Sequence, residues 1–400
     1  MLRLRNTTAQ RTETALTMSL RDSLSAHWRA IQGELLPFLD DAVGPLTPLH
    51  RQLGAVLEMV RVERAVVHPH GRPGRPLAER AALARAFVAK AVFNLPTTRT
   101  LIEHLGSDRT LRRLCGWSRP GAVPSEATFS RAFAEFAASA LPSRLHEALI
   151  RQTQGERLIG HIARDSTAIE AREAPRRRDR SVKPVPAQPP RRRGRPRRGE
   201  APPPREPSRL ERQRSMGLDA MLAELPRHCD FGAKRNAKGI QTRWIGYKLH
   251  VDTADGDIPI SCVLTSASVH DSQVAIPLAT LTASRVTSLY DLMDGAYDAA
   301  EIQAHSRSLG HVPIIAINPR RQTGLKGDLA CESRCRTLLG HRLAQDVRYD
   351  QRTSSERVNA NLKDNHGGRS LRVRGHAKVM CHLMLGILSI AAVQILRLVT

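Results

Sequence analysis

The chain is 400 residues long, 41% hydrophobic and 25% charged, with 62 Lys+Arg against 38 Asp+Glu and a formal charge of +24. That length allows more than one domain with a sizeable core, and the composition excludes a chain disordered throughout. The positive excess is too large for an ordinary metabolic enzyme and points to a polyanionic partner, whose phosphates such a field concentrates and captures faster. Most of the cations are Arg, which grips phosphate bidentately; a GC-rich genome also favours Arg, but that bears on the choice of cation and not on the sign.

The first six residues, Met1 to Asn6, hold no apolar run, so no signal peptide is expected. Residues 1–18 read as a flexible N-terminus, with Met18 an alternative start. Residues 19–155 read as an all-α domain. Helix-like apolar spacing covers 20–39, 49–67 and 77–93, and shorter helices are expected at 97–105, 110–115 and 126–138. Ser125 after Pro124 makes a sound start for the last of these. Short helices with Arg112, Arg113 and Arg131 turned outward suit a helix-turn-helix-like DNA-binding module or a plain bundle with solvated arginines, and periodicity does not separate the two.

Residues 172–215 break the pattern with 16 Lys+Arg, 5 Asp+Glu and 10 Pro, a composition that buries no core and predicts a disordered basic linker. At its centre, Arg193-Gly194-Arg195-Pro196 resembles an AT-hook, whose arginines lie in a narrow minor groove. A tether that grips phosphates through Arg193 and Arg195 without sequence preference fits the same residues. The related Gly71 to Pro76 segment reads as a turn.

From 156 to 400 the chain alternates strand and helix around that linker. Strands are expected at 158–163, 244–252, 258–265, 288–293 and 312–317, with Asp255-Gly256 as a hairpin signal between the second and third. Helices are expected at 270–283, 299–309 and from 353 past 363. Three strands before the first helix are unusual for a doubly wound sheet and match the order of a ribonuclease-H-like fold. The fold class is therefore α/β, a ribonuclease-H-like mixed sheet preceded by an all-α domain.

Three carboxylates stand out. Asp165 is expected to end the first strand, Asp294 the fourth, and Glu356 lies one turn into the late helix. Clustered carboxylates repel one another and suit Mg²⁺ or Mn²⁺, and two such ions about 4 Å apart serve phosphodiester chemistry. Each residue also has an ordinary role: turn residues for Asp165 and Asp294, and a capping box, Thr353-Ser354-Ser355-Glu356, for the last. The late helix adds weight. Tyr349, Arg352, Glu356 and Lys363 fall within roughly 60° of one another at helical pitch, so one face carries an aromatic, two cations and a carboxylate.

Tyr349-x2-Arg352-x3-Glu356-x6-Lys363 resembles the signature of bacterial insertion-sequence transposases of the DDE type. The segments Trp244 to His250, Thr265 to Ser272 and Asp294 to Asp298 are similar to that family's catalytic domain, and residues 95–133 to its helical N-terminal domain. The resemblance implies that Asp165, Asp294 and Glu356 are the metal-binding triad, holding two Mg²⁺ or Mn²⁺ ions. It implies that Tyr349, Arg352 and Lys363 contact the element's inverted-repeat end, with Lys248 and His250 on the second strand suited to DNA or to an ordinary half-exposed strand. Hydrolysis at each end would free a 3′-OH that attacks target DNA, on a homodimer holding two ends of double-stranded DNA. A catalytically silent DNA-binding derivative and a metal-dependent nuclease of the same fold are the rival readings. The interval from Asp294 to Glu356 is short beside the branches that carry a β insertion there.

Two features remain. His270 and Asp271 are expected to cap the following helix, and Cys331-x3-Cys335 near His341 reads as incidental rather than a zinc site. Six scattered cysteines suggest a reducing compartment, hence a cytoplasmic, nucleoid-associated protein. The apolar run 381–399 contains His382, Gln394 and Arg397 and reads as a buried helix rather than a membrane span.

Overall fold

A computed structural model describes residues 20–66, 78–175, 206–235, 239–319 and 322–399. Eight α-helices precede the first strand among the described residues: α1 Leu20–Ala30, α2 Leu36–Val43, α3 Pro48–Val60, α4 Arg80–Val92, α5 Thr98–Ser107, α6 Arg109–Cys115, α7 Glu126–Ala138 and α8 Leu141–Gln154. α3, α5, α6 and α7 pack on α4, where alanines at nearly every turn admit close neighbours and Phe87 meets Phe129, Phe133 and Phe136 at ring-centroid distances of 5.7, 5.0 and 6.2 Å. The helix α8 is not among the expected elements. Its buried Leu141, Leu145 and Leu149 recur every four residues, but Pro142 reads as a break although the first turn tolerates it.

One expected surface cation is interior. Arg112 is buried, and its Nη1 donates to the Leu105 and Gly106 carbonyls at 2.8 and 2.9 Å, satisfying the end of α5. Arg113 donates to the Ala42 carbonyl, while Arg131 is exposed as expected.

The sheet has six strands: β1 Leu158–Glu170, β2 Asp230–Arg235, β3 Gln241–Ala254, β4 Ile258–Ser266, β5 Thr287–Met293 and β6 Val312–Ile315. Its order is β2-β3-β1-β5-β6, with β4 also on β3. β1 is central, antiparallel to β3 and parallel to β5, and β5 is parallel to β6. The mixed sheet follows a mostly helical region, an arrangement compatible with the ribonuclease-H-like expectation.

The linker corrects one expectation. Residues 176–205, with Arg193 and Arg195, lie outside the described residues, as does the Gly71 to Pro76 segment. But 206–215 do bury apolar surface: α9 Arg209–Gln213 starts on a Ser208–Glu211 capping box, and its Leu210 packs with Met221 of α10 Leu218–Ala223. β2 is a further unexpected element, because Asp230 to Arg235 is polar and short and borrows its conformation from pairing with β3.

Strand and helix alternate through α11 Ser272–Ala283 and α12 Ala300–Ser308, and four helices follow β6 in succession: α13 Thr323–Leu338, α14 Ala344–Tyr349, α15 Thr353–Asn365 and α16 His376–Arg397. α16 is long and apolar enough to cross a membrane, yet it lies inside the protein, packed against α3, α4, α7, α8, β4 and α15. Gly386 lets α15 approach it, since a Cβ there would stand 2.7 Å from Leu362 Cδ1 and 2.9 Å from the His366 carbonyl. α16 thus joins the helical region to the sheet and seats the helix that carries Glu356.

Candidate active site

Asp165 does not end its strand. The β1 ladder runs on to Glu170 against β3, and Asp165 pairs with Val251 in mid-strand. What ends there is the parallel ladder to β5, whose last pair is Arg164 with Met293. Asp165 and Asp294 are the next residues on two neighbouring parallel strands, so they leave the ladder side by side. Asp294 also fills a turn role: its carboxylate accepts from the Ala296 amide at 2.9 Å and starts the 3-10 turn Gly295–Tyr297.

Burial pushes the Asp165 carboxyl up to about 6, against the Ser166 amide and the positive fields of Lys234 and Arg352, and Asp294 raises it further. Lys234 is a cation outside the sequence expectations, since it sits on β2. Beneath the pair lies a buried charge network. Arg164 donates bidentately to Asp252 at 2.8 and 2.7 Å, and the Thr282 hydroxyl donates to the same carboxylate at 2.7 Å. Asp291 stands 4.0 Å from Arg164 and binds His311 and the Ser306 hydroxyl. The network ties β1, β3 and β5 together one residue below the site. Its signal in the sequence is a charge inside each apolar strand run.

The late helix reaches the site as a chain of helical turns, α14, a 3-10 turn over Asp350–Arg352, then α15. Arg348 lies over the Tyr290 ring at 4.1 Å and holds α14 to β5. Arg357 donates bidentately to Asp257 in the β3–β4 turn at 2.8 and 2.6 Å and holds α15 to the hairpin. Asn359 donates to Asp165 Oδ2 at 3.3 Å. The capping box is absent: α15 continues from Arg352 in helical conformation without a side-chain cap. Glu356 instead accepts from Arg352 at 2.7 Å, and Arg352 stands 5.7 Å from the Tyr349 ring. Tyr349, Arg352 and Glu356 therefore form one contiguous face. Lys363, further along, is half-buried, with Lys234 and Glu170 near it.

Lys248 and His250, suited by sequence to DNA or to an ordinary half-exposed strand, turn inward. Lys248 donates to the Val269 carbonyl and to Asp271 at 2.8 and 2.9 Å, and His250 is fully buried against Thr265. Asp271 makes no side-chain cap bond because Lys248 and Ser166 hold it, whereas His270 Nδ1 receives the Ser272 amide at 3.3 Å. Cys331 and Cys335 are free and exposed on α13.

Among the described residues, no three His, Cys, Asp or Glu side chains already stand in metal-holding geometry. The donor set nonetheless fits a hard divalent cation. Asp165 is a desolvated carboxyl beside a second carboxylate, Glu356 lies one helical turn before Asn359, and the Asn359 Oδ1 is buried with no partner.

Comparison with known proteins adds two findings. Residues 214–391 match the family profile "Transposase DDE domain", and residues 38–135 match "Transposase domain (DUF772)". Neither a search of curated proteins nor one of solved structures gave a significant match.

Proposed function

We propose that this chain, which carries both transposase-domain matches, is a DNA transposase that cuts the inverted-repeat ends of an insertion sequence and joins them to target DNA. The observation that carries the reading is the strand register: Arg164 pairs with Met293, so Asp165 and Asp294 emerge together beneath the helix bearing Glu356. The fold is then ribonuclease-H-like, with the order of β4, β3, β1, β5 and β6 as its support.

Asp165 and Asp294 would hold Mg²⁺ or Mn²⁺, with Glu356 completing the set once it leaves Arg352. When bound, the divalent ions lower the pKa of water and screen charge on the reacting phosphate. The protein's own residues position the substrate. Arg352, Lys363 and Lys234 offer cations to DNA phosphates around the carboxylates, and Tyr349 offers a ring on which a base stacks. In-line attack, first by water and then by the freed 3′-OH, needs this positioning more than it needs covalent participation by the protein. Two ends must be held at once, which calls for a homodimer on DNA.

Asp294→Ala separates binding from chemistry. The variant should retain affinity for a duplex carrying the flanking inverted repeat and lose cleavage. Loss of binding would mark Asp294 as structural. Cleavage by the wild type without joined products would instead support a nuclease of the same fold.

A further inference from the structure

Asn359 is not used by the chemistry above. It is 6% exposed and lies three residues after Glu356, facing β1. Its Nδ2 donates to Asp165 Oδ2 at 3.3 Å, while its Oδ1 is buried with no hydrogen-bond partner. Chemistry dictates that orientation, because an ionised carboxylate only accepts and the amide must turn its NH₂ toward it. A buried amide oxygen with no donor is destabilising, and an apolar side chain would fill the position without that cost. Val358 and Leu362, flanking it on α15, are buried apolar residues. Among the described residues, Asn359 Oδ1 is the orphaned atom that belongs to a side chain bonded to Asp165.

We propose that Asn359 is a fourth oxygen donor of this site. Nδ2 fixes the Asp165 carboxylate, and Oδ1 supplies a neutral oxygen to the divalent ion's coordination sphere, directly or through one of its waters. The inference rests on the proposed function. Hard cations accept amide oxygens alongside carboxylates, and a neutral donor adds coordination without adding charge to Asp165 and Asp294, which already repel. Groups that orient ligands at such sites change ion affinity by about 10–100-fold.

The test is Mn²⁺ binding to the full-length chain, followed by the electron paramagnetic resonance of free Mn²⁺, with thermal unfolding in EDTA as the check on folding. Asn359→Leu should weaken Mn²⁺ binding about 10–100-fold while the melting temperature in EDTA holds or rises. Asn359→Asp should bind Mn²⁺ at least as tightly as the wild type and melt lower without metal, since a further carboxylate then faces Asp165. Wild-type affinity in Asn359→Leu, or weakened affinity in Asn359→Asp, would overturn this inference. If Asp165→Asn still abolished Mn²⁺ binding, the proposed function would survive that failure. No Mn²⁺ binding by the wild type, with or without DNA, would overturn both.

Discussion

At the scale of single residues, the site depends on a few side chains whose environments leave little freedom. Arg164 and Asp252 form a fully buried, doubly hydrogen-bonded pair directly below Asp165. Removing one partner leaves an uncompensated charge, so Asp252→Ala should cost about 3–5 kcal/mol in a urea unfolding titration; a loss below about 1 kcal/mol would show that the pair contributes little. Gly246 is constrained by its backbone. Its φ is +153°, and a Cβ there would stand 2.1 Å from the Ile169 carbonyl oxygen, where β3 passes between β1 and β2. Gly246→Ala should therefore destabilise by at least ~2 kcal/mol, and wild-type stability would mean that the strands relax apart freely. Asp165, Asp294 and Glu356 stand out in the sequence only as a set, two carboxylates following apolar strand runs and a third on a patterned helix, although Asp165 lies in mid-strand and not at a strand end. Asn359 and Lys234 do not, because an amide on a helix and a lysine on a short polar strand look ordinary until the fold places them.

At the scale of elements, packing decides what periodicity does not. The helices 97–105, 110–115 and 126–138 and the hairpin at Asp255-Gly256 are legible because each carries its own apolar spacing, cap or turn residues. β2 and the extension of β1 past Asp165 are not, since both are held by pairing with β3, and α9 is hidden despite its Ser208–Glu211 capping box because a basic, proline-rich stretch precedes it. The packing of the helical region on the sheet is long-range. His146 on α8 bonds the Pro259 carbonyl of β4 at 2.8 Å, and burial holds its imidazole down at about 3. His382 on α16 is held down at about 4, again chiefly by burial. Both stay neutral in the folded chain, whereas the unfolded chain protonates them near pH 6.5. Their contribution is complete above that pH and is lost as the pH falls from 6.5 toward the folded values. The melting temperature should drop across pH 6.5 to 4, and His146→Gln should flatten part of the slope. An unchanged slope in that variant would place the acid sensitivity elsewhere.

At the scale of the whole molecule, charge and architecture point to the same partner. The positive excess is legible from composition, but composition does not show which cations are interior. Arg112 and Arg164 are buried. Residues 176–205, outside the described residues, hold 12 Lys+Arg against 2 Asp+Glu by composition. Replacing 176–205 with a neutral Gly/Ser segment of equal length spares α9 and removes that charge. Affinity for duplex DNA should fall most at low salt, and the slope of log K against log salt should become shallower by about 0.9 for each phosphate that the native segment neutralises. An unchanged slope would mean the segment does not touch DNA. The central claim, that Asp165, Asp294 and Glu356 serve metal-dependent cutting and joining, is tested most directly on a labelled duplex carrying the flanking inverted repeat. Nicking and strand transfer would be followed with Mg²⁺, with EDTA, and with Glu356→Gln. Cleaved and joined products that require Mg²⁺ and vanish in Glu356→Gln are the predicted result. Tight binding with no cleavage by the wild type under any of these conditions would contradict it and leave a silent DNA-binding protein.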